Sequence, residues 1–330
     1  KSYKNIPDFG ASSFEKLRVN DIMEVQNNAP HMIDSFGGKS RAFVQIQNGC
    51  DHRCTFCIIP YTRGPSRSVP MGTIVQQIQH LVERGYYEIV LTGVDLTSYG
   101  TDLPVNSCLS TLIQAILKQV PTLPRLRISS IDSVEVDEEF FELLAYEKRI
   151  MPHLHLSLQA GDNIILKRMK RRHSRAQAID FCQKLRSLRP NIVFGADLIA
   201  GFPTETEEMF KNTCDFIQEC GLTHLHVFPF SPRQGTPAAR MPQISKAFIK
   251  ERASILRQIG KKAYNLHLDA LQHSQQTLLV ERIIEGAALG HTEDYTLTAF
   301  PADKLARYLG KLVKVNITSR DQEKLLATPL

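Results

Sequence analysis

The sequence predicts an α/β fold in two parts: a partial (β/α)6 barrel over residues 41–240, joined by a helix at 241–266 to a small antiparallel β-barrel over 267–330. Three observations predict it. From residue 41 to 240, short β-rich runs alternate with helical periodicity in six units of about 30 residues, the pattern of a parallel sheet with crossover helices. Six units are too few to close an eight-stranded barrel, so an open one fits the count. Beyond residue 266 the runs become alternating or β-branched, punctuated by Gly286, Gly290 and Gly310, as in a small antiparallel barrel.

The expected strands are AFVQIQ (42–47), YEIVLT (87–92), RLRIS (125–129), HLHLSL (153–158), IVFGADLI (192–199) and THLHVF (223–228). Between them, TIVQQIQHLVERG, LSTLIQAILKQV, EEFFELLAYEK, SRAQAIDFCQKLRSL and TETEEMFKNTCDFIQECG carry helical spacing. Gly85 and Gly221 stop two of these helices, and Thr204 with Glu207 makes a capping box. Residues 244–266 read as the connecting helix, and TLLVERIIEG, DYTLTAF and KLVKVNIT as strands of the small barrel. In βα barrels chemistry gathers at the C-terminal ends of the strands. Cys50, Gly93, Ser129, Ser130, Gln159 and Gly201 each follow a strand and so are expected at one mouth.

The composition is that of an ordinary folded domain, with 42% hydrophobic and 22% charged residues. The longest nearly apolar run, residues 191–202, is too short to span a bilayer and contains Asp197, so no membrane role is expected. The chain starts without an initiator Met or an apolar leader and reads as a fragment. Seven cysteines, an odd number and clustered, point to a reducing compartment, the cytoplasm, and to metal or cluster ligation rather than disulfides. The net charge of +6 is uneven. Residues 265–330 hold seven Lys and Arg against eight Asp and Glu, while LKRMKRRHSR (166–175) holds six basic residues and no acid. That segment reads either as a solvated helix end or as a phosphate-contacting patch for nucleic acid.

The densest chemistry lies in GCDHRCTFCIIPYTRG (49–64), where Cys50-x3-Cys54-x2-Cys57 places three thiols in one loop. Structural zinc calls for four closed ligands, and no second half-site is present, although His52 lies inside the loop. A four-iron cluster is normally held by four thiolates; three leave one iron open to a small molecule. His153 and His155 alternate on one strand and read as satisfied core or rim histidines rather than ligands. Arg63 and Arg67 beside the loop read equally as solvated charge or as attraction for an anionic substrate.

The cysteine motif, with Phe56 before its last Cys, resembles the signature of the radical S-adenosylmethionine superfamily, whose fold is a partial (β/α)6 barrel. VQIQNGCDHRCTFCIIPYTRGPSRS, RLRISSID, LHLSLQAGDNIILKRMKRRH and DLIAGFPTETEEMF together resemble its methylthiotransferases, and the C-terminal barrel resembles their RNA-binding TRAM domain. IVLTGVDLTSYG and HVFPFSPRQGTPAA are most similar to the branch acting on threonylcarbamoyladenosine in tRNA. The resemblance implies that Cys50, Cys54 and Cys57 bind a 4Fe-4S cluster whose fourth iron chelates S-adenosylmethionine. Reductive cleavage would then yield a 5′-deoxyadenosyl radical that takes hydrogen from adenine C2. It also implies S-adenosylmethionine contacts at Thr92, Gly93, Ser130, Gln159 and Gly201, and no acid–base catalytic residue.

The partners expected are tRNA, contacted through Lys167, Arg168, Lys170, Arg171 and Arg172, and an electron donor such as flavodoxin or ferredoxin; DNA is not expected. Full-length relatives carry a preceding domain with three cysteines for an auxiliary 4Fe-4S cluster. Residues 1–40 read as an extension from such a domain, and Cys108, Cys182, Cys214 and Cys220 do not replace its ligands. The alternatives are a methylthiotransferase of isopentenyladenosine tRNA or of a ribosomal protein, and a non-catalytic, zinc-stabilised RNA-binding module.

Overall fold

A computed structural model describes residues 40–104, 107–301 and 305–330; the extension expected over 1–40 lies, but for Ser40, outside them. Strand β1 (Ala42–Gln45) is shorter than its apolar run because the next two residues change partner. There β2 (Gln47–Asn48) turns to pair antiparallel with β3 (Arg67–Ser68), closing the base of the cysteine loop. The parallel sheet then follows chain order. Strand β4 (Glu88–Thr92) lies between β1 and β5 (Arg125–Ile128), while β6 (Ser130–Ile131) pairs with β7 (His153–Gln159). Strand β8 (Val193–Ala200) follows β7, and β9 (Leu222–Pro229) follows β8. β5 and β6 are two halves of one strand broken at Ser129, the first serving β4 and the second β7. Six parallel strands therefore run in sequence order, and among the described residues no ladder joins β9 to β1, so the barrel is open.

The helices are α1 (Ile59–Thr62), α2 (Met71–Glu83), α3 (Leu109–Gln119), α4 (Glu138–Tyr146), α5 (Asn163–Met169), α6 (Arg175–Leu188), α7 (Glu207–Cys220) and α8 (Lys246–Ala270). The apolar stripes of α2, α3, α4, α6 and α7 pack on one face of the sheet, while α5 joins a separate cluster with Phe202 and Phe230. In α2 the stripe Ile74, Ile78 and Leu81 is fully buried, and alternate strand residues Leu154, Leu156, Leu158, Phe194, Ala196 and Leu198 join the same core. Each such large apolar side chain contributes roughly 1.5–3 kcal/mol of burial. The opposite face of β7 and β8, with His153, His155, Ser157, Gln159, Gly195 and Asp197, is left polar and lines the lumen. The cap of α7 differs from expectation. Thr206, not Thr204, accepts from Met209 N, because Glu205 turns inward to Gly201 N and Arg252 and leaves Thr204 at φ 68°.

Helix α8 runs past its expected end at 266, and its Leu268 enters the core of the small barrel with Leu278, Val280, Phe300 and Val315. That barrel closes in the order β10 (Gln275–Ile284), β11 (Ala287–His291), β12 (Leu297–Pro301), β14 (Leu325–Pro329) and β13 (Leu312–Arg320). It is not wholly antiparallel, since β12 and β14 pair in parallel. It sits on the N-terminal ends of the large barrel's strands, opposite the expected mouth. Ser40 Oγ donates to Val280 O at 2.8 Å, Arg125 to Thr277 O at 2.6 Å and Arg127 to Glu293 O at 3.2 Å, while Tyr295 stacks on His153. At this seam Glu88 is fully buried among three guanidinium groups, Arg127 at 2.9 Å, Arg41 at 3.2 Å and Arg125 at 3.6 Å.

Candidate metal and cofactor site

Cys50, Cys54 and Cys57 are free, half-buried thiols on the loop that leaves β2. One buried side chain organises that loop. Gln47 Nε2 donates to Gly49 O and Ser66 Oγ, both at 2.8 Å, while its Oε1 accepts from Val94 N at 3.0 Å and Asp95 N at 2.9 Å. The loops after β2 and β4 are thereby locked together. The far side of the cysteine loop is pinned through Thr55, whose N–H meets Met169 O at 3.1 Å and whose hydroxyl meets Arg168 O at 2.8 Å, and Phe56 packs against the Phe202 and Phe230 cluster. Gly49 sits at φ 77°, and a Cβ there would lie 1.9 Å from Pro65 O. Gly49→Ala is therefore expected to cost about 1–3 kcal/mol and to lower iron retention after reconstitution, measured by thermal melting and iron analysis. A variant as stable and as iron-rich as the parent would contradict this.

Burial raises the Cys50 thiol to about 12, only partly offset by the His52 N–H, and the neighbouring Asp95, Cys54 and Cys57 push it the same way. Burial raises Cys57 as well, with Cys54 adding to the effect. Three thiolates on one loop, near enough to raise one another, oppose one another unless a cation joins them, so the donor set fits a metal cluster. His52 is not spare for a fourth ligand: it holds Asp95 Oδ2 at 2.8 Å and Glu135 at 3.7 Å, and hydrogen bonds to both carboxylates raise it to about 9. Burial pushes Asp95 up, yet hydrogen bonds from His52 and Ser98 outweigh it and hold the carboxyl below its usual range. Cys50, His52 and Asp95 do lie within ligand distance of one another, but that set would strand the other two thiols.

Of the other residues expected at the mouth, Thr92 and Gln159 end their strands and Gly93 and Gly201 follow theirs, whereas Ser130 opens the short strand β6. Thr92 closes β4 with its hydroxyl 3.4 Å from Val44 O. Gly93 is closely packed: a Cβ there would lie 3.0 Å from Gln47 Oε1 and from Leu96, so even Ala would press on the Gln47 side chain. Ser130 is exposed at the start of β6, and Gln159 ends β7 at φ 68°, a strained conformation for a residue with a side chain. Gly201, at φ 73°, would drive a Cβ to 2.7 Å from Ile249, so its smallness serves the seat of α8.

The basic segment divides. Lys167 and Lys170 are exposed, and Arg172 pairs with Glu135. Arg168 donates to Thr204 O at 3.2 Å. Arg171, counted with the phosphate-contacting group, lies in a buried pocket instead. Its guanidinium bonds Asp132 and Ser157 O, both at 2.6 Å, and reaches Cys54 Sγ at 3.7 Å, so it braces the mouth rather than facing solvent. Arg63 is exposed, and Arg67 folds back onto Arg63 O at 3.0 Å. Cys182 and Cys220 are buried on α6 and α7, while Cys108 caps α3 and Cys214 is half-buried on α7. Sequence reasoning missed Gln47, Asp95 and Asp132. Gln47 had no pattern to find it; Asp95 and Asp132 had only their places, each three residues after an expected strand.

Residues 44–217 match the Radical SAM superfamily. The threonylcarbamoyladenosine tRNA methylthiotransferase MtaB of Rickettsia prowazekii is 55% identical over 310 residues, covering 93% of this chain and 72% of that protein. MtaB of Bacillus subtilis is 36% identical, covering 94% and 68%. Among solved structures, the radical S-adenosylmethionine methyltransferase TsrM of Kitasatospora setae, with cobalamin and a 4Fe-4S cluster bound, aligns at TM-score 0.49 and 18% identity over 60% of this chain and 38% of that one.

Proposed function

The chain belongs to the radical S-adenosylmethionine superfamily and, within it, to the threonylcarbamoyladenosine tRNA methylthiotransferases, and on that premise we propose that it serves to add a methylthio group to C2 of threonylcarbamoyladenosine beside the tRNA anticodon. The observation that carries this reading is the trio of half-buried thiols, held at the strand ends with His52 already engaged and not free to complete a zinc site. Cys50, Cys54 and Cys57 would hold a 4Fe-4S cluster, which with bound S-adenosylmethionine supplies a carbon-centred radical for hydrogen abstraction. An aromatic C–H bond carries no acidic proton, so side-chain acids and bases cannot activate it and a cofactor is required.

The chain's own residues do the positioning. Gln47 fixes the cysteine loop against the loop holding Gly93, Val94 and Asp95, and Arg171 ties Cys54 to the ends of β6 and β7. Thr92, Gly93, Ser130, Gln159 and Gly201 stand at the strand ends, where S-adenosylmethionine would lie. Cys108, Cys182, Cys214 and Cys220 are spread over α3, α6 and α7, which supports one cluster in this chain. An electron donor of the flavodoxin or ferredoxin kind and a cytoplasmic setting complete the reading; no helix of the described residues is long and apolar enough to cross a membrane.

Mass spectrometry of tRNA nucleosides tests the assignment. Cells lacking the gene should lose the 2-methylthio form of threonylcarbamoyladenosine and regain it on complementation. An unchanged nucleoside profile, or a loss confined to isopentenyladenosine or a ribosomal protein, would refute it. For RNA binding, Lys167 and Lys170 are the exposed lysines of the basic segment. Reversing both to Glu should weaken tRNA binding and reduce the salt slope by about one for each phosphate no longer neutralised. Affinity equal to the parent's at two salt concentrations would remove them from the interface.

A further inference from the structure

Three donors on successive strands of the large barrel meet on its polar face, and none belongs to the cysteine loop. His155 on β7 places Nε2 2.9 Å from Asp197 Oδ1 on β8, and His226 on β9 places Nδ1 3.2 Å from the same oxygen. All three ligand atoms lie within 4.8 Å of one another. The backbone is arranged for this meeting. Asp197 and His226 are direct partners in the parallel ladder, while His155 is paired with Gly195, one tier below. A Cβ at Gly195 would lie 2.7 Å from His155 Nδ1, so the missing side chain lets the imidazole lean across β8 to reach Asp197.

We propose that His155, Asp197 and His226 bind one divalent ion of the zinc or ferrous class in the barrel lumen. Two imidazoles and one carboxylate are the donor set of sites that keep coordination positions open. Ligand atoms about 2.0–2.2 Å from a tetrahedral ion are about 3.3–3.6 Å apart, against 2.9 and 3.2 Å from Asp197 Oδ1 to the two imidazole nitrogens, so a small outward shift of the carboxylate would admit the ion. The His226 side chain is 64% exposed while that of His155 is almost covered, so solvent and ligands reach the cluster past His226. An oxygen-bearing group of a lumen ligand, carboxylate or hydroxyl, is the chemistry the open positions would take. The site stands whichever substrate the barrel accepts.

Zinc titration by calorimetry tests this on the full chain with Cys50, Cys54 and Cys57 replaced by Ala, so that the thiols cannot compete. One saturable site is expected, with a Kd near or below about 1 µM. His226→Gln, on an exposed side chain, should weaken it at least about 10-fold, and Asp197→Asn at least about 100-fold. Cobalt should give the weak visible bands of nitrogen and oxygen ligation. No saturable binding up to about 1 mM, or affinity unchanged by His226→Gln with native circular dichroism, would overturn the site.

Discussion

Replacing any one of Cys50, Cys54 and Cys57 by Ala is expected to abolish 5′-deoxyadenosine formation on reduction, a loss of at least about 1,000-fold, and to cut bound iron from about four per chain to below about one. The size of the effect follows from the donor count. Three thiols are the whole ligand set the loop offers, because His52 is engaged by Asp95 and Glu135 and the other cysteines lie on α3, α6 and α7. Cys214→Ser is the control, being half-buried on α7, and should keep both iron and product. Anaerobic reconstitution followed by iron, sulfide and zinc analysis decides the matter. A single-cysteine variant that still yields product, a parent that takes zinc in place of iron, or about eight irons per chain would each contradict a distinct part of the assignment.

Glu88→Gln is expected to destabilise the fold by about 3–5 kcal/mol, since it removes the fully buried carboxylate that Arg41, Arg125 and Arg127 share; Arg41 keeps Glu281 and Arg125 keeps Glu293, while Arg127 is left with the Thr292 and Glu293 carbonyls. The same residue predicts an acid response. Burial alone would raise its carboxyl, but the charges of Arg127 and Arg41 and the bond from Arg127 outweigh burial and bring it from 4.5 to about 2. A carboxyl with a lowered folded value stabilises at neutral pH, and that contribution, about 3 kcal/mol, fades as pH falls from about 4.5 toward 2. Urea unfolding of parent and variant at pH 7 and pH 3 separates this group from the other acids. The stability gap should narrow at the lower pH, and a gap constant across that window would show that Glu88 does not carry the charge balance of the seam.

The six strand positions were legible because each carries its own apolar or β-branched run, and a run is local information. What the runs did not show was where a strand stops. AFVQIQ divides at Ile46 because Gln47 leaves the parallel sheet to pair with Ser68 on β3, well along the chain. RLRIS likewise reads as a strand that stops at 129, yet the chain runs on into β6 and changes partner there, serving β4 with its first half and β7 with its second. Thr204 satisfied the pattern of a capping residue, but the buried partners of Glu205 moved the cap to Thr206. His155 read as an ordinary strand histidine until β8 and β9 brought Asp197 and His226 to it.

By itself the sequence determined the alternation of strands and helices, the open barrel they imply, and the three-thiol loop, because each is encoded in spacings of a few residues. Only the tertiary structure decided what the charges do. Arg171 and Lys170 are neighbours in a single basic run, yet one is buried against Asp132 and Cys54 while the other faces solvent. The free energy of a charged side chain depends on its partner and its distance from water, and both are set by residues far away in the chain.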